Sequence, residues 1–311
     1  MILRANSVDL SRRTLLAGAA AWGGFQIAAP FVISARGETP LRIGMVDPLT
    51  GVYAADASNE VHGAQLAVEQ VNAKGGVLGR PIELLVEDSA NDVGTGVQKT
   101  RKLIERDQVN FVIGDVNSAI AQAMAQVTAE KKVLHIVSGG HTDGITGTDC
   151  KWNVYRVCNT TRMEANSISD LLFTKYGKKW HFITPDYAFG HTLQQACAEN
   201  LKKLGGTVSG NELTPLGTSD FSAYLIKARA SRPDVLLLLV QGSDMVNCLK
   251  QIVQFGIDKQ IHVAGTQQEL ESLAALPRTV DRFEPSMSRR ERDARYAGWL
   301  EAVSRARGGR L

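Results

Sequence analysis

Short apolar runs rich in β-branched residues alternate along the chain with longer segments in which apolar residues recur every three or four positions. Such alternation is typical of βα units that build parallel sheets. In the first half of the chain the pattern predicts strands at 41–46, 82–87, 111–113 and 133–137. It predicts helices between them at about 60–72, 96–106 and 118–131.

The second half of the chain repeats this plan. Strands are predicted at 180–184, 235–240 and 260–263, and helices at about 192–204, 221–230 and 244–255. In each half a helix is followed by a glycine pair, Gly75-Gly76 and Gly205-Gly206, where glycine supplies the left-handed backbone that ends a helix. We therefore expect two similar lobes.

The predicted fold class is α/β, with two doubly wound Rossmann-like lobes. We place the first lobe at 38–157 and the second at 158–277, with the crossover near 155–160, in an extended segment between the two series. A glycine-rich loop precedes the crossover, and its length indicates a functional role.

The N-terminal segment 1–37 resembles a twin-arginine signal peptide. Arg12 and Arg13 precede an uncharged, glycine-containing and only moderately apolar stretch, residues 14–35. A permanent membrane anchor is the alternative, since this stretch of 22 residues is long enough to span a bilayer about 30 Å thick. Its glycines and Pro30 favour cleavage near Ala35. We expect export to the periplasm by the twin-arginine route.

The charge of the chain is unevenly distributed. The net charge is +3, and residues 278–311 hold nine arginines, no lysine and five acidic residues. Without this segment the chain is close to neutral, so it lacks the basic surface that neutralises a row of phosphates. We expect no nucleic-acid partner.

Four cysteines are present, and an oxidising compartment allows them to pair. Cys150 and Cys158 flank a short extended segment and are the favoured pair. Cys197 and Cys248 lie on separate predicted helices and are expected to be buried free thiols.

Motifs of catalysis are missing from the sequence. It contains no G-x-S-x-G, H-E-x-x-H or G-x-x-x-x-G-K motif, and its six histidines show no metal-ligand spacing. Ser118 and His141 could imitate a hydrolase pair, but no acid that would orient the histidine is identifiable. We expect a protein that is not an enzyme and uses neither metal nor cofactor.

Several segments carry a family resemblance. They are 43–51 (IGMVDPLTG), 63–68 (GAQLAV) and 72–82 (NAKGGVLGRPI), with support from 113–118, 186–190 (DYAFG) and 219–221 (SDF). Together these segments resemble the leucine/isoleucine/valine-binding family of type I periplasmic binding proteins over about 41–276. The resemblance implies two lobes that close on a small-molecule ligand, and an ABC permease of the inner membrane as partner.

Candidate binding residues lie where predicted strands of the first lobe end. Ser118, next to Asn117, can cap the helix that follows strand 111–113 while free N–H groups of that helix face a ligand carboxylate. A plain helix cap is the alternative interpretation of Ser118. By resemblance, Gly140, His141 and Thr142 form the loop that grips the carboxylate, although a solvent-exposed loop histidine is the favoured interpretation of His141.

Aromatic residues complete the predicted site. By resemblance, Tyr53 in the first βα loop, and Tyr187 and Phe189 in the matching loop of the second lobe, lie against the ligand. Phe189 replaces a family tyrosine, which favours an apolar or aromatic ligand body. Packing in the core is the alternative role of Phe189.

The residue that would meet a ligand ammonium is harder to place. Gln267 occupies the position of the family's acidic residue, with Glu269, Ser243 and Asp244 as alternatives. A neutral glutamine suits a carboxylate or an amide better than a zwitterion, because an unpaired buried ammonium is costly. The expected ligand is a branched-chain amino acid or a related small carboxylate or amide.

The resemblance stops after Pro277, where an atypical arginine-rich tail, 278–311, begins. Since the family continues beyond this length, we expect the first lobe to lack part of its sheet and ligand binding to be compromised. Two alternatives to transport remain open, namely a ligand sensor of the same fold in signalling and a truncated remnant that does not bind.

Overall fold

Two parallel sheets organise the protein. In the computed structural model, which describes residues 39–265, the first sheet has the order β2-β1-β3-β4-β5. Its strands are β1 (Leu41–Asp47), β2 (Ile82–Asp88), β3 (Phe111–Ile113), β4 (Leu134–Val137) and β5 (Val154–Arg156). Ile43 of β1 lies between Leu84 and Phe111 of its two neighbours. This order is that of a doubly wound sheet, in which all strands are parallel and the order of successive strands reverses between β1 and β3.

Three helices and a short 3₁₀ turn among the described residues pack with this sheet in the first lobe. They are α1 (Ala54–Ala73), α2 (Val93–Glu105), α3 (Ser118–Lys131) and the turn Asp143–Thr146. Val46 and Val112 of the sheet meet Leu103, Ile120 and Met124 of the helices in one buried cluster. Burial of each large apolar side chain contributes about 1.5–3 kcal/mol, so this cluster fixes the helices against the sheet.

The second lobe has a four-stranded sheet of order β7-β6-β8-β9, in which all neighbouring strands are parallel. Its strands are β6 (Lys179–Pro185), β7 (Thr207–Thr214), β8 (Val235–Leu238) and β9 (His262–Gly265). Its helices are α4 (Thr161–Tyr176), α5 (Ala188–Lys203), α6 (Ser222–Ala230) and α7 (Gly242–Gln254).

The apolar run at β8 is explained by burial on both faces of the second sheet. Val235 and Leu237 belong to a cluster with α4 and α5, whereas Leu236 and Leu238 belong to a cluster with α6 and α7. Successive side chains of a strand point to opposite faces, so a strand covered on both faces is apolar at every position.

Most predicted elements are confirmed, and β3 and α3 have the predicted bounds. Helix α4 and strand β7 were not predicted. Strand β7 is an edge strand with polar residues at most positions, and α4 mixes polar and apolar residues without a clear stripe. Helix α5 begins at Ala188 instead of 192, which places Phe189 in a helix rather than in the predicted loop.

The two glycine pairs end corresponding helices in the same way, as predicted. Gly75 and Gly205 have φ values of 95° and 85°. The N–H groups of Gly76 and Gly206 donate to the carbonyl oxygens of Val71 and Leu201 at 3.0 and 2.8 Å. This is the hydrogen bond of a Schellman motif, so the lobes share a local device as well as a topology.

The favoured disulfide between Cys150 and Cys158 is wrong, because both cysteines are free in the structure. Strand β5 lies between them in the chain, and Cys150 is exposed whereas Cys158 is half-buried. The thiol of Cys158 instead donates to the carbonyl oxygen of Gly140 at 3.5 Å. Cys197 and Cys248 are buried free thiols, as predicted.

Strand β5 forms one edge of the first sheet, and apolar side chains near it are exposed. Trp152 and Val157 are 62% and 75% accessible. The expectation that the first sheet lacks a part stays a prediction. Within residues 39–265, no helix combines the length and apolar character that crossing a bilayer would require.

Candidate functional site

The candidate site lies where loops at the carboxyl ends of the first sheet meet helix starts of the second lobe. Ligands of open α/β sheets bind at this end of the strands. The two lobes are joined here by side-chain and main-chain hydrogen bonds, described below.

Tyr53 and Tyr187 form a direct contact between the lobes. Tyr53 precedes α1, Tyr187 precedes α5, and their hydroxyl oxygens lie 2.6 Å apart. The ring centroids are 6.4 Å apart, and Tyr53 is only 1% exposed. Burial raises the pKa of both phenols, so both remain neutral hydrogen-bonding groups. Tyr53 and Tyr187 were both predicted site residues, and the structure brings them together.

A second contact between the lobes uses backbone only. The N–H of Ser243, in the first turn of α7, donates to the carbonyl oxygen of Val52 at 3.1 Å. Gly242 has φ 58°, and a Cβ there would clash with the Val52 carbonyl. The side chain of Ser243 is exposed, so this predicted site residue contributes its amide and not its hydroxyl.

The cap of α3 is Asn117 and not Ser118, which corrects the prediction. Asn117 Oδ1 accepts from the N–H groups of Ala119 and Ile120 at 2.9 and 3.4 Å. Asn117 has the extended backbone of a cap residue, whereas Ser118 already lies in the helix. The buried Ser118 hydroxyl instead accepts from the Thr142 N–H at 3.1 Å, which links α3 to the loop after β4.

Arg156 shapes the loop that contains Gly140, His141 and Thr142, and the sequence analysis missed it. Its Nη1 donates to the three carbonyl oxygens at 3.2, 3.1 and 2.7 Å. A Cβ at Gly140 would lie 2.8 Å from the Ala121 methyl, so Gly140 serves close packing. No short sequence motif joins Arg156 to these three carbonyl groups, because Arg156 lies at least 14 residues after the loop.

Thr142 also reaches the second lobe. Its hydroxyl lies 3.1 Å from the hydroxyl of Thr192 on α5, which in turn accepts from the Thr161 hydroxyl at 3.1 Å. The three hydroxyl groups therefore link the loop after β4 to the starts of α4 and α5.

His141 is not the exposed loop histidine of one interpretation. Its Nδ1 is hydrogen-bonded to Glu164 of α4, and its ring meets that of Phe189 edge-on at 6.1 Å. The His141 side chain is 16% exposed and that of Glu164 only 4%. Glu164 is thus an acid that orients the histidine, which the sequence analysis had not identified. The sequence did not predict helix α4, so nothing in the sequence indicated that Glu164 lies near His141.

Phe189 belongs to the core of the second lobe and also faces the site. It is 1% exposed and packs in the cluster of α4 and α5. Its ring centroid lies 5.9 Å from that of Tyr187. The core packing of Phe189 is therefore confirmed, and its contact with a ligand stays a prediction.

Three carboxyl groups of the first lobe lie close together near the 140–142 loop. Asp47 ends β1, Asp115 follows β3, and Glu60 of α1 is hydrogen-bonded to the Ser138 hydroxyl. Burial raises the pKa of Asp47 to about 9, and the charges of Glu60 and Asp115 act in the same direction. Burial likewise raises the pKa of Asp115 to about 7. The sequence analysis missed this cluster, because its members are distant along the chain.

Gln267, Glu269 and Asp244 were the remaining candidates for the position of the family's acidic residue. Gln267 and the alternative Glu269 lie outside the described residues. Asp244 is buried at the start of α7, where its Oδ2 accepts from the Gly217 N–H at 2.9 Å. No group of three or more histidine, cysteine or acidic side chains among residues 39–265 has the arrangement needed to hold a metal ion.

Comparisons with known proteins agree with this architecture. The periplasmic binding protein family model matches residues 40–297. The Leu/Ile/Val-binding protein BraC3 of Rhizobium johnstonii is 29% identical over 211 residues, which cover 68% of this chain and 57% of that protein. The chain thus spans little more than half of this relative.

Solved structures of periplasmic binding proteins are also similar to this chain. A periplasmic binding protein from Burkholderia mallei has 33% identity and a TM-score of 0.70, covering 73% of this chain and 60% of that one. An ABC transporter solute binding protein from Rhodopseudomonas palustris BisB5, in complex with 3,4-dihydroxy benzoic acid, has 26% identity and a TM-score of 0.68, covering 73% and 61%. With two doubly wound lobes meeting at the carboxyl ends of their strands, this chain belongs to the periplasmic binding protein family.

Proposed function

We propose that this chain is the solute receptor of an ABC importer, which captures a branched-chain amino acid or a related small carboxylate or amide between its lobes. The observation that carries the proposal is the set of direct bonds between the lobes at the carboxyl ends of both sheets. Tyr53 bonds Tyr187, and Thr142 bonds Thr192. A ligand held there contacts both lobes, and its binding energy favours the closed arrangement.

The relatives support this class of ligand. One is a Leu/Ile/Val-binding protein, and another holds a dihydroxybenzoic acid. We propose that the ligand lies against Tyr53, Tyr187 and Phe189, with Ser118 and the 140–142 loop on its first-lobe side. The Ser118 hydroxyl accepts one bond from Thr142 and keeps its own proton to donate.

Ligand binding is tested directly by thermal unfolding of the purified full chain with leucine, benzoate, 4-hydroxybenzoate and small aliphatic amides. A ligand present at about 100 times its Kd stabilises the folded state by about 2.7 kcal/mol. We expect at least one compound to raise the unfolding temperature in a saturable way. A folded chain that responds to none of them contradicts the proposal and supports a remnant that does not bind.

The transport role and the export route are separate parts of the proposal. Deletion of the gene should abolish uptake of the radiolabelled ligand, and periplasmic extracts should contain a chain whose N-terminus lies near Ala35. Unchanged uptake with a defect in a ligand-dependent transcriptional response would instead favour a sensor. A chain that retains Met1 in the membrane fraction would contradict the cleaved signal.

A further inference from the structure

Val52, in the loop after β1, contacts the second lobe through both its side chain and its main chain. A Cβ at Gly217 would lie 3.8 Å from Cγ2 of Val52, and a Cβ at Gly242 would overlap the Val52 carbonyl oxygen. The N–H of Ser243 donates to the same oxygen at 3.1 Å. Val52 of one lobe is therefore seated on Gly217, Gly242 and Ser243 of the other, which we call the Val52 socket.

Asp244 joins the two sides of the Val52 socket. It is 1% exposed, and its Oδ2 accepts from the Gly217 N–H at 2.9 Å. Because Asp244 lies in the first turn of α7 and Gly217 in the loop after β7, this bond fixes the loop against the start of the helix. The bond lies wholly within the second lobe, so it holds the socket in shape whether or not Val52 is seated there.

Two independent requirements favour glycine at position 242. Its φ of 58° lies in the left-handed region, where a Cβ crowds the backbone. Its approach to the Val52 carbonyl oxygen also leaves no room for a Cβ, and this second requirement exists only while the lobes are in contact. Gly256, just after α7, has only the first requirement, since its φ is 64° and no atom of the described residues lies within 4 Å of a Cβ placed there. The two glycines therefore separate backbone strain from the contact between the lobes.

The hydrogen bond between Ser243 and Val52 joins main-chain atoms of the two lobes. The first amides of a helix have no acceptor within that helix, so the Ser243 N–H is free to donate to another part of the protein. Neither partner of the bond is a side chain that a ligand would have to match. The bond therefore favours contact between the lobes whichever ligand lies between them.

We infer that Val52 and its socket form a latch that holds the lobes together, and that Gly242 is the residue that allows the latch to close. The latch raises the share of molecules in the closed arrangement, and the apparent affinity for a ligand rises with that share. It therefore acts on affinity without selecting among ligands. The effect on affinity rests on the proposed function, whereas closure is measurable on the protein by itself.

Hydrogen exchange of the Ser243 amide in the full wild-type chain tests the latch without any substitution. Since this amide has no acceptor within α7, slow exchange measured by NMR reports its bond to Val52. We expect exchange slower by about tenfold or more than that of an unprotected amide in the same sequence. Exchange close to the unprotected rate overturns the latch.

Gly242→Ala should hold the lobes apart, and Gly256→Ala is the matched control for the left-handed backbone. Small-angle X-ray scattering of the full chains should give a larger radius of gyration for Gly242→Ala than for the wild type, and an unchanged one for Gly256→Ala. A wild-type radius of gyration in folded Gly242→Ala overturns the latch.

Ser243→Pro is a second variant that breaks the same contact. Proline removes the N–H that donates to Val52 but is tolerated in the first turn of a helix. We expect the same increase in the radius of gyration. If circular dichroism shows that Gly242→Ala does not fold, Ser243→Pro decides by the same comparison.

Affinities of the variants separate failure of the latch from failure of the proposed function. The probes are leucine, benzoate, 4-hydroxybenzoate and small aliphatic amides. Isothermal titration should show a Kd about two- to tenfold higher in Gly242→Ala, by the same factor for each compound that binds, as expected for the loss of one hydrogen bond. An unchanged Kd, or a change confined to one of several ligands, overturns the effect on affinity.

The two proposals fail in different ways. If no compound of the panel binds a folded chain while the exchange and scattering results hold, the proposed function fails and the latch stands. If a compound binds and Gly242→Ala keeps the size and affinity of the wild type, the latch fails and the proposed function stands.

Discussion

Replacing Asp47 by asparagine removes a buried carboxyl group while keeping its shape. Asp47 ends β1 and is fully buried, and its Oδ1 accepts from the Val116 N–H, a bond that the asparagine oxygen can retain. The substitution therefore isolates the titration of one group. We expect it to make the free energy of unfolding less dependent on pH.

The sign and magnitude of this pH dependence follow from the raised pKa of Asp47. A carboxyl whose pKa is about 9 in the folded state and about 3.9 in the unfolded state stabilises the fold fully below pH 4. This contribution is lost as the pH rises toward 9, by about 1.36 kcal/mol per pH unit inside that window. Between pH 5 and pH 7, the free energy of unfolding of the wild-type chain should therefore fall by about 2.7 kcal/mol relative to that of Asp47→Asn.

Urea unfolding followed by circular dichroism at pH 5, 6, 7 and 8 measures this difference. Asp170→Asn, at an exposed position on α4, is the matched control for the same change of side chain outside the buried region. A constant difference between the wild type and Asp47→Asn across this range would refute the reasoning. It would mean that the carboxyl of Asp47 is accessible to water or is paired with a cation.

Three further predictions concern single contacts. Tyr187→Phe removes the hydroxyl bond between the lobes and should lower the free energy of unfolding by about 0.5–1.5 kcal/mol in urea titrations. Arg156→Lys should cost about 1–3 kcal/mol and speed amide hydrogen exchange in residues 140–142, because an ammonium cannot reproduce the planar guanidinium contacts; unchanged exchange would contradict this. Cys150 should react rapidly with a thiol reagent in the native protein, whereas Cys158, whose pKa burial raises to about 11, should react slowly. A mass lower by two hydrogens would instead reveal a disulfide.

The sequence predicted the βα order well, and the reason is visible in β8 and α3. An apolar run covered on both faces and a capped helix between two strands leave local signals that need no knowledge of the rest of the chain. Strand β7 left no such signal, since an edge strand can carry polar residues on its exposed positions. The sequence also identified Tyr53, Tyr187, Thr142 and the glycine pairs by local pattern or resemblance.

Only the tertiary structure decided which of these residues meet. It placed Glu164 against His141, gave the cap of α3 to Asn117, and gathered Asp47, Glu60 and Asp115 into one buried region. Burial and charge interaction depend on distances between elements far apart in the sequence, and no local pattern records those distances. The sequence therefore determined most elements of the two lobes, whereas the electrostatics of the region where the lobes meet depend on how those elements pack.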